Sequence, residues 1–134
     1  MRLLLMRLIA DERNETFMFR SAFLIYLAVL VFGSIPGARE EIGEVASGLV
    51  LHFVTYAGIA FFLFCGVGGN ASRKAFATFV IIALMGAFDE FLQSFFPYRT
   101  AAMTDWCVDV GAGLFASALL WKVSLSNPDA PPAS

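Results

Sequence analysis

Residues 75–110 read AFATFVIIALMGAFDEFLQSFFPYRTAAMTDWCVDV, and this stretch decides the fold. An apolar run of helix length precedes Pro97 and a second one begins after it, since proline ends a helix. A carboxylate at membrane depth costs a few kcal/mol, so such groups usually pair, face the bundle interior and mark function. Five polar side chains flank the break: Asp89, Glu90, Gln93, Asp105 and Asp109.

The composition is that of a small membrane protein. Of 134 residues, 59% are hydrophobic and 15% are charged, whereas soluble domains carry about 25% charged residues. Mean hydropathy is +0.76. The sequence therefore predicts an all-α, polytopic membrane helix bundle with about four transmembrane helices. The net charge of -2, without a basic stripe, excludes nucleic acid as a partner. The expected spans are roughly residues 17–35, 49–67, 75–96 and 105–125.

The basic residues predict the orientation of the bundle. Of the nine Lys and Arg residues, only Arg39 and Arg99 fall in the two loops on one side of the predicted spans. The positive-inside rule therefore places both termini in the cytoplasm and these loops outside. Residues 1–19 are expected to form a cytoplasmic or interfacial segment. The polar, proline-rich residues 126–134 are expected to form a disordered tail.

Helical spacing brings the polar residues toward one another. Asp105 and Asp109 are four residues apart and share a helix face, as do Asp89 and Gln93. His52 and Tyr56 have the same spacing near the start of the second span. We therefore expect three helices to converge on one outward-facing polar pocket, with Arg99 in the loop above it.

The pocket offers several kinds of chemistry. Arg99 could hold a phosphate in a bidentate fork, and Gln93, Asp105, Asp109 and Tyr56 are the other candidate ligand-binding residues. Glu90, Asp89 and His52 are the candidate general acids and bases. Several carboxylates with one imidazole could also hold a divalent cation, but the sequence assigns no residue as a metal ligand.

Structural interpretations compete with each of these roles. Asp105 is a candidate N-cap of the last helix, and an acid beside Arg99 could form a buried ion pair that only fixes helix packing. His52 could simply hydrogen-bond a carboxylate across helices, and Tyr56 could be a packing residue with a tethered hydroxyl. Gly111 and Gly113 are candidate small-residue contacts between packed helices.

At these residues the chain resembles the VanZ-like family. The match lies in His52-Phe53 with Tyr56, and in DEFLQSFFPYRT (residues 89–100) followed by Asp105, and it covers roughly residues 20–125. In the last span the family's asparagine is Asp109 here, which adds an acid to the cluster. The family's Asp-Lys pair before the histidine is replaced by Gly48-Leu49.

The resemblance implies a VanZ-like four-helix membrane domain over residues 20–125, in the bacterial cytoplasmic (inner) membrane. It also implies an association with resistance to the glycopeptide teicoplanin, which does not define a biochemical activity. Three hypotheses follow. The pocket binds an anionic lipid, a lipid-linked cell-wall precursor or a glycopeptide; it is the site of a membrane enzyme acting on a phosphorylated lipid or glycan carrier; or it locks the helices of an accessory subunit whose function lies with a protein partner.

Overall fold

A computed structural model describes residues 12–36, 47–98 and 102–126, and these residues form four long α-helices. Each is long and apolar enough to cross a membrane, with windows of mean hydropathy between 1.4 and 2.0. At 1.5 Å per residue they match a hydrocarbon core about 30 Å thick. The predicted all-α bundle of four membrane-spanning helices is confirmed. The helices are α1 (Glu12–Gly33), α2 (Gly48–Gly66), α3 (Ala71–Gln93) and α4 (Met103–Leu125).

The helix boundaries differ from the predicted spans where polar residues start a helix. α1 begins five residues before the predicted residue 17, because the charged segment before the apolar run is rich in good helix formers. α3 begins at Ala71, where the Asn70 side chain caps it by accepting a hydrogen bond from the Arg73 amide at 2.9 Å. Hydropathy alone therefore underestimates both helices. The predicted boundaries of the N-terminal segment and the tail stay predictions, since residues 1–11 and 127–134 lie outside the described ranges.

The helices run up and down. The Tyr98 hydroxyl donates to the Ser34 carbonyl at 2.6 Å, which brings the chain after α3 to the end of α1. At the opposite end, Lys74 Nζ contacts Glu15 Oε1 at 3.2 Å. We call these the Tyr98 end and the Lys74 end. Which of them faces the cytoplasm stays a prediction from the positive-inside rule.

α2 is the central helix and contacts each of the other three, whereas α1 packs mainly against α2. Its wholly buried side chains are Tyr56, Ile59, Ala60, Leu63, Phe64 and Cys65, and all but Cys65 are spaced as one helix face. Many large apolar side chains elsewhere are exposed, as expected of helices whose solvent is lipid.

Two glycines allow close helix approach. A Cβ on Gly66 would meet the backbone of Phe19, 2.7 Å from its Cα, and one on Gly113 would lie 2.5 Å from Ile82 Cγ2. The expectation for Gly113 is therefore met. The expectation for Gly111 was wrong: it is exposed, with nothing within 4 Å of its Cβ position. Two glycines that are two residues apart lie on opposite sides of a helix. The sequence did not show which of these sides of α4 faces α3.

Tyr26→Phe is expected to lower the free energy of unfolding by about 0.5–1.5 kcal/mol, the net worth of a buried hydrogen bond. The buried Tyr26 hydroxyl donates to the Met85 carbonyl at 2.8 Å and so ties α1 to α3. Equilibrium unfolding in SDS, followed by circular dichroism, measures the change. Tyr98→Phe is the control, since the side chain of Tyr98 is 46% exposed and water can replace its bond. Equal stability of Tyr26→Phe and wild type would contradict the proposed tie.

Candidate functional site

His52 lies between two aspartates of α4 at the Tyr98 end. Its Nδ1 is 2.9 Å from Asp109 Oδ1, and its Nε2 is 3.7 Å from Asp105 Oδ2. The aspartates reach opposite sides of one imidazole because they stand one helical turn apart. The Asp109 side chain is completely buried, and those of His52 and Asp105 are 12% and 8% exposed. Both aspartate side chains are therefore enclosed by the protein.

Asp89 joins this group from α3. The Tyr56 hydroxyl, one turn from His52 on α2, donates to Asp89 Oδ2 at 3.2 Å. The rings of His52 and Tyr56 lie parallel, with centroids 6.1 Å apart. Both partners are buried, Asp89 at 5% exposure and Tyr56 at 1%. The expected convergence of α2, α3 and α4 is thus observed, and we call His52, Tyr56, Asp89, Asp105 and Asp109 the acid–histidine cluster.

Glu90 makes a contact that the sequence did not suggest. Its Oε2 accepts a hydrogen bond from the Ala102 amide at 2.7 Å, so an acid of α3 serves the start of α4. The cap position is Ala102, which has no side chain to bond, and Asp105 stands in the first turn of the helix. The N-cap interpretation of Asp105 was therefore wrong. An acid in the first turn is still favoured by the positive end of the helix dipole.

Several buried oxygens at this end of the bundle lack a hydrogen bond. Within the part of the chain that the structure describes, Asp109 Oδ2, Glu90 Oε1 and Gln93 Oε1 are buried and have no hydrogen-bond partner. Gln93 is 4% exposed, one turn beyond Asp89 on α3. Most buried polar atoms in proteins are satisfied, so each exception calls for an explanation such as a bound ion, water or ligand.

The acids outnumber the bases here. Four carboxyl groups and one imidazole gather at the Tyr98 end, whereas every described Lys and Arg lies in the half of its helix nearer the Lys74 end. Arg99, the predicted partner of these acids, falls outside the described residues, so its placement stays a prediction. The described part of the site is therefore suited to bind a cation or a ligand that carries a positive charge.

Ligand atoms converge in two overlapping sets. A ring nitrogen of His52 and one carboxylate oxygen each from Asp89 and Asp109 lie within 4.8 Å of one another. The same holds for His52, Glu90 and Asp105. Mixed imidazole and carboxylate donors are typical of divalent metal sites, and a histidine hydrogen-bonded to a carboxylate is also a general-base arrangement.

An apolar groove opens beside the cluster, between α3 and α4. Its volume is about 470 Å³, within the range of small-ligand pockets. Glu90 lines the groove and also belongs to the ligand set with His52 and Asp105, so the groove borders the polar interior. Its lining residues are Ala87, Glu90, Phe91, Ala102, Met103 and Trp106.

Two further residues hold this end together. Trp106 Nε1 donates to the Ala83 carbonyl at 3.0 Å, which joins α4 to α3, and Tyr26 ties α1 to the same helix. Sequence reasoning missed both. A tyrosine or tryptophan inside an apolar run was the available signal, because a buried ring of this kind needs a partner for its polar tip.

Four membrane-spanning helices around a buried acid–histidine cluster define a small polytopic membrane protein with a polar intramembrane site. The sequence model of the VanZ/LLP1 family matches residues 5–125, and the chain belongs to this family. The match reaches further toward the N-terminus than the resemblance over residues 20–125 predicted. No curated protein and no solved structure matches the chain.

Proposed function

We propose that this VanZ/LLP1 protein binds the phosphate-bearing headgroup of an anionic envelope lipid or lipid-linked cell-wall precursor at the Tyr98 end. The observation that carries the proposal is the continuity of an apolar groove with the acid–histidine cluster through Glu90. An amphipathic lipid requires an apolar surface for its hydrocarbon chain next to a polar surface for its headgroup, and the groove and the cluster are such a pair.

The groove suits the apolar chain of the ligand. Phe91 and Met103 line it and are 57% and 71% exposed on the outer surface of the bundle. A lipid chain could therefore enter sideways from the bilayer without crossing water. The lipid chain would run along α3 and α4 and bring its headgroup to Glu90, whose buried Oε1 has no hydrogen-bond partner in the described ranges.

The headgroup requires a positive group, because the described acids alone repel a phosphate. Arg99 follows directly after Tyr98, whose bond to Ser34 brings the chain to this end of the bundle. In the proposal Arg99 holds the phosphate in a bidentate fork, and the acids orient the arginine. The predicted outward orientation of this end would present the site to envelope lipids, and the proposed link to teicoplanin resistance would follow from binding of a precursor lipid.

Arg99→Ala is expected to reduce retention of the preferred lipid about tenfold or more, the worth of a charge-assisted hydrogen bond or two. Native mass spectrometry measures retention against polyprenyl phosphate, polyprenyl diphosphate, lipid-linked precursor and common phospholipids. Arg73→Ala, at the opposite end of the bundle, is the matched control and should retain lipid as wild type does. Equal retention of every lipid by all three folded proteins would contradict the proposal.

The hydrogen bond between His52 and Asp109 favours a second candidate, a membrane enzyme acting on a phosphorylated lipid or glycan carrier. A carboxylate that orients an imidazole is a common arrangement of general bases. Here Glu90 or Asp89 would be the other acid or base and Arg99 the phosphate anchor. Turnover of a retained lipid, abolished in folded Glu90→Gln, would support the enzyme. If Glu90→Gln instead unfolds in detergent, and wild type turns over none of the lipids, the result would fit a helix-locking role of Glu90 through the Ala102 amide.

A further inference from the structure

We propose that His52, Asp89 and Asp109 form a binding site for a divalent transition-metal ion, buried among α2, α3 and α4. The inference goes beyond lipid binding and does not require it, because none of these three residues lines the apolar groove.

The donor atoms already stand close to a metal geometry. One atom from each residue lies within 4.8 Å of the other two, and His52 Nδ1 is 2.9 Å from Asp109 Oδ1. Ligand atoms around a tetrahedral zinc ion are about 3.4 Å apart, given metal–ligand distances of about 2.1 Å. Small side-chain movements would therefore close the site around an ion. A water molecule or headgroup oxygen would complete the four ligands.

Each ligand also has a neighbour that would orient it. His52 Nε2 faces Asp105 Oδ2 at 3.7 Å, which leaves Nδ1 directed at the proposed ion. The Tyr56 hydroxyl donates to Asp89 Oδ2 at 3.2 Å and leaves the other oxygen of Asp89 for coordination. Ligating histidines almost always donate their other ring N–H to a carboxylate or carbonyl, and such partners tune affinity.

Burial supplies an independent reason for an ion. Asp109 is completely buried, and its Oδ2 has no hydrogen-bond partner among the described residues. An isolated carboxylate in such a place is costly, and coordination of a metal is one of the few ways to compensate it. A bound divalent cation would satisfy this oxygen and offset the charges of two buried aspartates at once.

The donor set selects the kind of metal. Imidazole suits zinc and other first-row transition metals, whereas magnesium prefers oxygen ligands and keeps much of its water. A single imidazole with two carboxylates in a buried site therefore favours Zn²⁺ over Mg²⁺. Co²⁺ is a suitable spectroscopic probe, because its visible absorption reports the number and geometry of its ligands.

The experiment uses the full chain, purified in detergent without added lipid and stripped with chelator. Isothermal titration calorimetry is expected to show that wild type binds Zn²⁺ at one site per chain. Bound Co²⁺ is expected to absorb visible light intensely, as Co²⁺ with four or five ligands does. Asp89→Asn and Asp109→Asn should each lose binding by a hundredfold or more. Asp105→Asn, which removes the orienting partner, should lose about ten- to a hundredfold. Glu15→Gln, an acid of the Lys74 end, is the matched control and should bind as wild type does.

Gel filtration and circular dichroism show which variants are folded. The Zn²⁺ and Co²⁺ measurements on wild type test the proposal even if a variant is unfolded. Failure of wild type to bind Zn²⁺, or a Co²⁺ spectrum equal to that of the hydrated ion, would overturn the proposal. So would equal binding by wild type and folded Asp89→Asn, since the ion would then lie elsewhere. Loss of binding in Asp89→Asn with binding kept in Glu15→Gln is the result that supports the site.

Discussion

Gly113→Leu is expected to prevent stable packing of α4 against α3. A Cβ at this position would lie 2.5 Å from Cγ2 and 2.9 Å from Cβ of Ile82, which is completely buried. Overpacking by single methylene groups costs about 1–3 kcal/mol, and a leucine adds four carbons. Since Ile82 is β-branched and stiff at χ1, it cannot turn aside. The expected loss is on the order of several kcal/mol, a large part of the stability of a small protein.

Gly111→Leu is the matched control, because this position on the same helix has nothing within 4 Å of its Cβ. It should be as stable as wild type or slightly more stable, given the helix propensity of leucine over glycine. Unfolding in SDS and the fraction of protein recovered as a sharp gel-filtration peak measure the difference. Similar stabilities of the two variants would mean that α3 and α4 are not packed as closely as described.

His52→Leu is expected to destabilise the protein by about 1–3 kcal/mol, the typical cost of leaving a buried acceptor without its hydrogen bond. The change leaves Asp109, which is completely buried, without its 2.9 Å hydrogen bond. The measurement is again equilibrium unfolding in SDS, carried out with chelator present so that a bound metal does not contribute. His52→Gln should lose less, because an amide can still donate to the carboxylate.

The double variant His52→Leu/Asp109→Leu tests the cause of this loss. Replacing both members of a buried pair with apolar residues is often neutral or stabilising, so the double variant should recover much of the stability that His52→Leu loses. The coupling between the two positions should then lie at about 0.5–3 kcal/mol, as for residues in contact. Additive losses would show that the two side chains act independently.

The sequence predicted both the membrane spans and the convergence of their polar residues, because both follow from the apolar runs and the short connections between them. Apolar runs between breaks fix the number of helices, and short connections fix which helix ends lie together. Once α2, α3 and α4 are neighbours, acids at i and i+4 near one end have few directions to face, since lipid excludes them. His52, Asp89 and Asp109 were therefore expected together and are found together.

Other features depend on how each helix is rotated about its axis, which a single sequence does not encode strongly. The side of α4 that meets α3 decides that Gly113 is buried and Gly111 exposed. It also decides that Glu90, instead of Asp105, serves the amide at the start of α4. In lipid the outward face is as apolar as the inward one, so the hydrophobic pattern that sets rotation in soluble helices is faint.

The distribution of the cluster over three helices has a consequence for biogenesis. His52 belongs to α2, whereas both of its aspartate partners belong to α4, which follows the other three described helices in the chain. Without α4, His52 has neither aspartate beside it, and a bilayer core offers its ring nitrogens no hydrogen bond. A chain truncated before Met103 would therefore leave the imidazole of His52 without either carboxylate and expose it to lipid.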